Sequence, residues 1–223
     1  MATSGTVTWR PEIEEIIVES FERCGMDESK IDAKAANSAR RSLNLMFGEW
    51  STRGINYWAT SESTLALVQS QRVYALPEGT LAILSAVLRR SSTDTTMTAL
   101  SLTDYHALPT KSTEGMPTQY FFDRQYTPNV YLWQVPENST DELIYWRLSQ
   151  MEDITRMFQT SDAPHRWHMA MCAGLATLLA EKPTVVGELS DQKILRLGAQ
   201  AESAFGYAAT EEGEKAALKI IPV

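Results

Sequence analysis

Apolar residues recur at three-to-four spacing near the N-terminus, then in short alternating runs, then at helical spacing again towards the C-terminus. Ile13, Ile16, Ile17, Phe21 and Cys24 make one apolar face. Pro11 is placed for a first turn, Glu12, Glu14 and Glu15 follow it, and Gly25 is a natural stop, so a first helix is predicted here. Ile31, Ala35, Ala39, Leu43, Met46, Phe47 and Trp50 form a second stripe, with Asp27 or Ser29 as cap and Gly54 as terminator. Gly48 lies inside that stripe and costs about 1 kcal/mol relative to alanine, which predicts close contact with another helix there.

From Ile55 the period changes. Segments 64–68, 72–76, 82–88, 96–102, 118–123, 129–135 and 142–148 are short, rich in aliphatic and aromatic residues, and separated by Pro, Gly and Asn. They predict seven strands of an antiparallel β-sandwich or barrel-like domain, with one helical turn over 103–108. Asp162 and Pro164 then announce a helix whose apolar face is Trp167, Met171, Leu175, Leu178 and Leu179, ended by Pro183. A last helix is predicted from about Glu188 to Ala209, with a small-residue seam at Leu197, Ala201, Ala204 and Ala208. The expected fold class is therefore α+β. Residues 1–55 and 160–223 form a discontinuous helical bundle domain, and residues 56–159 form an inserted β-rich domain.

The length of 223 residues is enough for a core that needs neither disulfides nor a structural metal. Cys24 and Cys172 sit among apolar neighbours in helical patterns and are expected to be buried, reduced thiols. No run of residues is long and apolar enough for a membrane span, and MATSGTVTWRPE lacks a signal-peptide pattern, so synthesis in a cytosol is expected. The net charge of −8 is spread along the chain, with −2 over 1–54, −4 over 55–160 and −2 over 161–223. No basic stripe is present to grip phosphates, which argues against tight nucleic-acid binding. An acidic surface lets DNA pass without holding it.

Candidate chemistry is sparse. His165, His168 and Cys172 share a helix face, but three ligands without a fourth make a poor zinc site, so no metal or cofactor is expected. His106 is the remaining histidine, and no G-x-S-x-G, phosphate loop or dinucleotide-binding glycine motif accompanies it. Glu49, Glu62, Asp104 and Asp123 are single carboxylates without a visible partner. The chain is not expected to be an enzyme. Two features suit contacts instead. Arg40 and Arg41 are the densest basic spot of the helical part, read either as a solvated face or as a fork for a neighbouring subunit's carboxylate. The tail, with Lys219, Ile220, Ile221 and Val223 after the acidic linker EEGEK, is either tucked onto its own domain or an arm for a partner's groove. Tyr131, Trp133, Tyr145 and Trp146 are read as packing aromatics, with a carbohydrate- or partner-binding patch as the alternative.

The order of phrases resembles the head-to-tail adaptor (connector) proteins of tailed bacteriophages, in particular the tail tubular protein A type. The residues that carry the likeness are Ala35 to Asn44 (AANSARRSLN), Glu49 to Gly54 (EWSTRG), Tyr74 to Pro77, Asp104 to Pro109, Gly115 to Tyr120 and Asp162 to Trp167. The resemblance implies a structural protein of the virion neck, without cofactor. It implies a homo-oligomeric ring, usually of twelve subunits, that docks on the portal protein, offers a platform to tail nozzle, tube or fibre proteins, and meets viral genomic DNA only in passing. It also implies that the helical part docks on the portal and on neighbouring subunits; the likeness does not extend to the apolar tail, whose role as an arm is read from its composition alone.

Overall fold

The computed structural model describes residues 9–53 and 57–212. They fold as a mixed α+β protein. The chain divides into two compact units, one from residues 1–58 together with 151–223 and the other from 59–150. Residues 151–159, assigned to the β-rich part on sequence grounds, belong with the helices.

In the first unit, α1 (Ile13–Cys24) starts in a capping box between Glu12 and Glu15 and stops at Gly25, whose φ of 89° is left-handed. Asp27 caps only a short 3-10 turn, Glu28–Lys30, through the amide of Ser29. The cap of α2 (Ala33–Thr52) is Asp32, whose carboxylate accepts from the Ala35 amide at 2.6 Å. The expected cap was displaced because Asp32 stands immediately before the helical residues, where its side chain reaches their free amides. Gly54, the expected terminator, lies outside the described residues.

The second unit carries ten strands, more than the seven expected. β1 (Thr60–Ala66), β2 (Val73–Ala75), β3 (Thr80–Arg90), β4 (Thr93–Thr96) and β5 (Thr98–Leu100) precede α3 (Leu102–Ala107). β6 (Glu114–Gly115), β7 (Gln119–Asp123), β8 (Asn129–Trp133), β9 (Val135–Pro136) and β10 (Glu142–Ser149) follow. One sheet has the order β1-β10-β3-β4, another β2-β8-β7-β5, and β6 pairs with β9. The predicted strand 96–102 is shortened to β5, with Thr96 ending β4 and Leu102 starting α3, because the chain changes sheets at Met97, which is buried. The sheets are not wholly antiparallel, since β5 runs parallel to β7 and β6 parallel to β9. None closes into a barrel: each four-stranded sheet ends in unpaired edges. Leu88, Leu143 and Tyr145 from one sheet and Tyr74, Tyr120, Val130 and Leu132 from the other share a single apolar core. At one end of it Arg90 makes a fork onto Asp141, whose side chain is fully buried, with a further bond to Glu137.

The chain then returns to the helical unit. α4 (His168–Ala180) is its centre, packing against α1, α2 and α6. It is buried on most of its circumference, where the sequence reading assigned it one apolar face. Pro183 does not merely end α4 but opens the short α5 (Pro183–Val186) at its first position. α6 (Asp191–Glu212) follows, starting and finishing about three residues later than expected. Lys193 near its start donates to the Cys24 carbonyl at 2.6 Å, and Phe205 further along lies 5.5 Å from the ring of Trp167.

Candidate interaction surface

Two surfaces of the helical unit merit a functional reading. The first is a groove of about 780 Å³ between α1 and the start of α4. Its walls follow from helix periodicity: the inner stripe of α1 enters the core, and the flanking positions line the opening. Glu12, Glu14, Glu15, Glu19, Glu22 and Glu28 supply carboxylates to the lining, while Ile16, Val18, Met169, Cys172 and Trp9 supply apolar surface. Trp9 and Met169 are exposed large side chains, at 61% and 59%. Trp9 sits edge-on to both His165 and His168, with ring centroids 5.6 and 5.9 Å away. Arg23, also in the lining, is engaged by Glu19 at 2.8 Å and by the Met169 sulfur at 3.1 Å.

The titratable groups of the groove are set by burial and by their neighbours. Among the described residues that line the groove there is no serine or threonine. Cys172 is buried and its thiol is pushed up to about 11, chiefly by burial, so at neutral pH it is not a nucleophile. Cys24 is buried too, its pKa raised for the same reason, and its thiol donates to the Ala176 carbonyl. The His168 ring is 6% exposed and its Nδ1 has no hydrogen-bond partner. Burial, and then the charge of neighbouring His165, lower its pKa, so the ring is neutral at physiological pH. Among the described residues no group of three or more His, Cys, Asp or Glu side chains could hold a metal ion. His106, at the end of α3, is exposed and remote in sequence from these residues.

The second surface is the outward face of α2, and here the two arginines of the sequence motif part company. Arg40 turns inward, its Nη1 donating to the Thr155 carbonyl at 2.5 Å. Asn44, one turn on, donates to the Ile154 carbonyl at 3.1 Å and accepts from the Ile154 amide at 2.9 Å. Together they pin the returning segment to α2. Arg41 is exposed, four residues before Leu45, which is 74% exposed. The sequence reading missed Leu45, although its place one turn from Arg41 and off the buried stripe was a visible signal. Lys219, Ile220, Ile221 and Val223 lie outside the described residues.

Elsewhere the aromatics of the second unit do not form one platform. Tyr145 is buried in the shared core, and Trp146 beside it is 45% exposed. Tyr131 packs with Tyr105 and Phe121 under α3, and the Trp133 indole donates to the Thr110 carbonyl at 3.1 Å. The single carboxylates are also accounted for in part: Glu49 pairs with Arg53, and Asp104 accepts from Ser101.

A model of the SU10 adaptor protein family matches residues 22–217, and so runs through both units. No curated protein matches the chain.

Proposed function

We propose that this chain, which belongs to the SU10 adaptor protein family, is a structural protein of a phage virion that joins head to tail. The observation that carries the reading is the extent of the family match, residues 22–217. It takes in the α2 phrase, the whole β-rich unit and the return helices.

The finer reading is a ring of identical subunits, twelve in number and of the tail tubular protein A type, seated beneath the portal. Tail nozzle, tube or fibre proteins attach below, and genomic DNA crosses the lumen. Support comes from the net charge of −8 without a basic stripe, which suits a channel that does not hold DNA. In this reading Arg41 and Leu45 supply a subunit contact, because they combine an exposed guanidinium with an exposed apolar side chain on one helix face. The tail residues Lys219, Ile220, Ile221 and Val223 reach a neighbour or the portal on assembly.

The test is to mix the purified chain with the portal ring of the same phage and image the product. An added ring below the portal is expected, and portal particles that stay bare refute the adaptor role. The double variant R41E/L45E should keep its helix content and fail to complete that ring. If it assembles like the wild type, the α2 face is not the subunit contact.

A further inference from the structure

The α1–α4 groove presents six carboxylates against one guanidinium that is already paired, together with exposed Trp9 and Met169. Such a surface calls for an occupant that is both basic and apolar. Residues 213–223, GEKAALKIIPV, have that composition in their side chains: two bases, Lys215 and Lys219, one acid, Glu214, and the apolar Leu218, Ile220, Ile221 and Val223. We propose that in the free subunit the groove holds this chain's own C-terminal segment.

The path of α6 supports an intramolecular site. α6 begins beside the Cys24 carbonyl at the end of α1 and runs back so that Phe205 lies 5.5 Å from Trp167. Trp167 directly precedes His168, a lining residue of the groove. The last described residue, Glu212, is seven positions past Phe205, or about 10 Å of helix rise. The remaining segment spans up to roughly 35 Å when extended. Reach is therefore ample, and tethering gives the segment an effective concentration in the millimolar range for its own groove. The apolar side chains cover Trp9 and Met169, and the two lysines meet the glutamate rim. The inference stands whether or not the chain binds a portal.

The test uses the full chain with a benzophenone amino acid in place of Ile221. Irradiation followed by peptide mapping should place cross-links on α1 and on the Trp9 and Met169 peptides, in the monomer band, with a yield that does not change on dilution. K215E/K219E should lose most of that yield. Adding E22K/E28K, which reverses charge on the groove rim, should restore it, with circular dichroism showing folded protein throughout. High salt should lower the wild-type yield by screening. Cross-links on another surface, no cross-link at all, or a yield indifferent to both charge reversals would each overturn the proposal. So would cross-links that appear only in a dimer band and grow with concentration, since those would make a second copy the partner.

Discussion

Asn44 spends both ends of its carboxamide on the backbone of Ile154, and Arg40 adds a bond to the next carbonyl. Both residues look like ordinary polar-face positions in the sequence, because helical periodicity reports which residues face the core and says nothing about which irregular segment crosses the outside. Gly48 teaches a similar lesson. Its expected tight helix contact is absent: a methyl group added there would meet nothing within 4 Å. The close approach is at Gly174 instead, where an added methyl would fall 2.6 Å from the Met46 sulfur. Gly48→Ala should therefore stabilise the protein by about 1 kcal/mol in urea unfolding, since only helix propensity changes. Unchanged or reduced stability would mean that the site is occupied after all.

His168 yields a pH prediction. Its pKa is lowered in the fold, mainly by burial, from an ordinary value near 6.5. The unfolded chain thus takes up the proton more readily, and the fold favours the neutral ring. The associated stability is present above about pH 6.5 and is lost as the pH falls towards the folded value. His165 and Arg10 act on the ring in the same direction as burial, and a hydrogen bond to the Ala163 backbone opposes them. The loss is about 1.4 kcal/mol for each unit between the two pKa values. Tm measured at pH 7.5 and 5.5 should fall further for the wild type than for His168→Gln. Equal falls would show that His168 does not couple folding to pH in this range.

Among the elements, α4 depends on its neighbours most. Its entry is packed by a cluster of rings: Trp167 lies 5.2 Å from Trp50, 5.1 Å from Trp58 and 5.5 Å from Phe205. Arg53 caps the cluster, 4.6 Å above the Phe205 ring. These side chains come from α2, the turn after it, the turn before α4, and α6, so one residue ties four segments. Trp167 is fully buried, and Trp167→Ala should cost about 3–5 kcal/mol in denaturant unfolding. A cost under about 1 kcal/mol would show that the cluster relaxes to fill the gap. Element type was legible wherever a strong period ran long, as in α1 and α2. It was less so for the strands. The predicted strand 96–102 took in β5 but only the last residue of β4, because no turn residue marks the crossing at Met97. The two-residue β6 and β9 are too short to leave a periodic signal.

For the whole molecule, composition and pattern were enough for the broad class: mixed α+β, helices at both ends, short strands between, and no helix long and apolar enough to cross a membrane among the described residues. The ordered phrases were enough for the kinship to phage adaptors that the family match then established. Local signals carried those conclusions because caps, glycine stops and hydrophobic spacing act within a few residues of one another. The parallel pairings, the failure of the sheets to close, the anchoring of 151–160 by Arg40 and Asn44, and the acidic groove beside Trp9 are of another kind. Each joins residues far apart in the chain, and the choice among such pairings is made by packing and backbone hydrogen-bond satisfaction across the folded chain, which no local window contains.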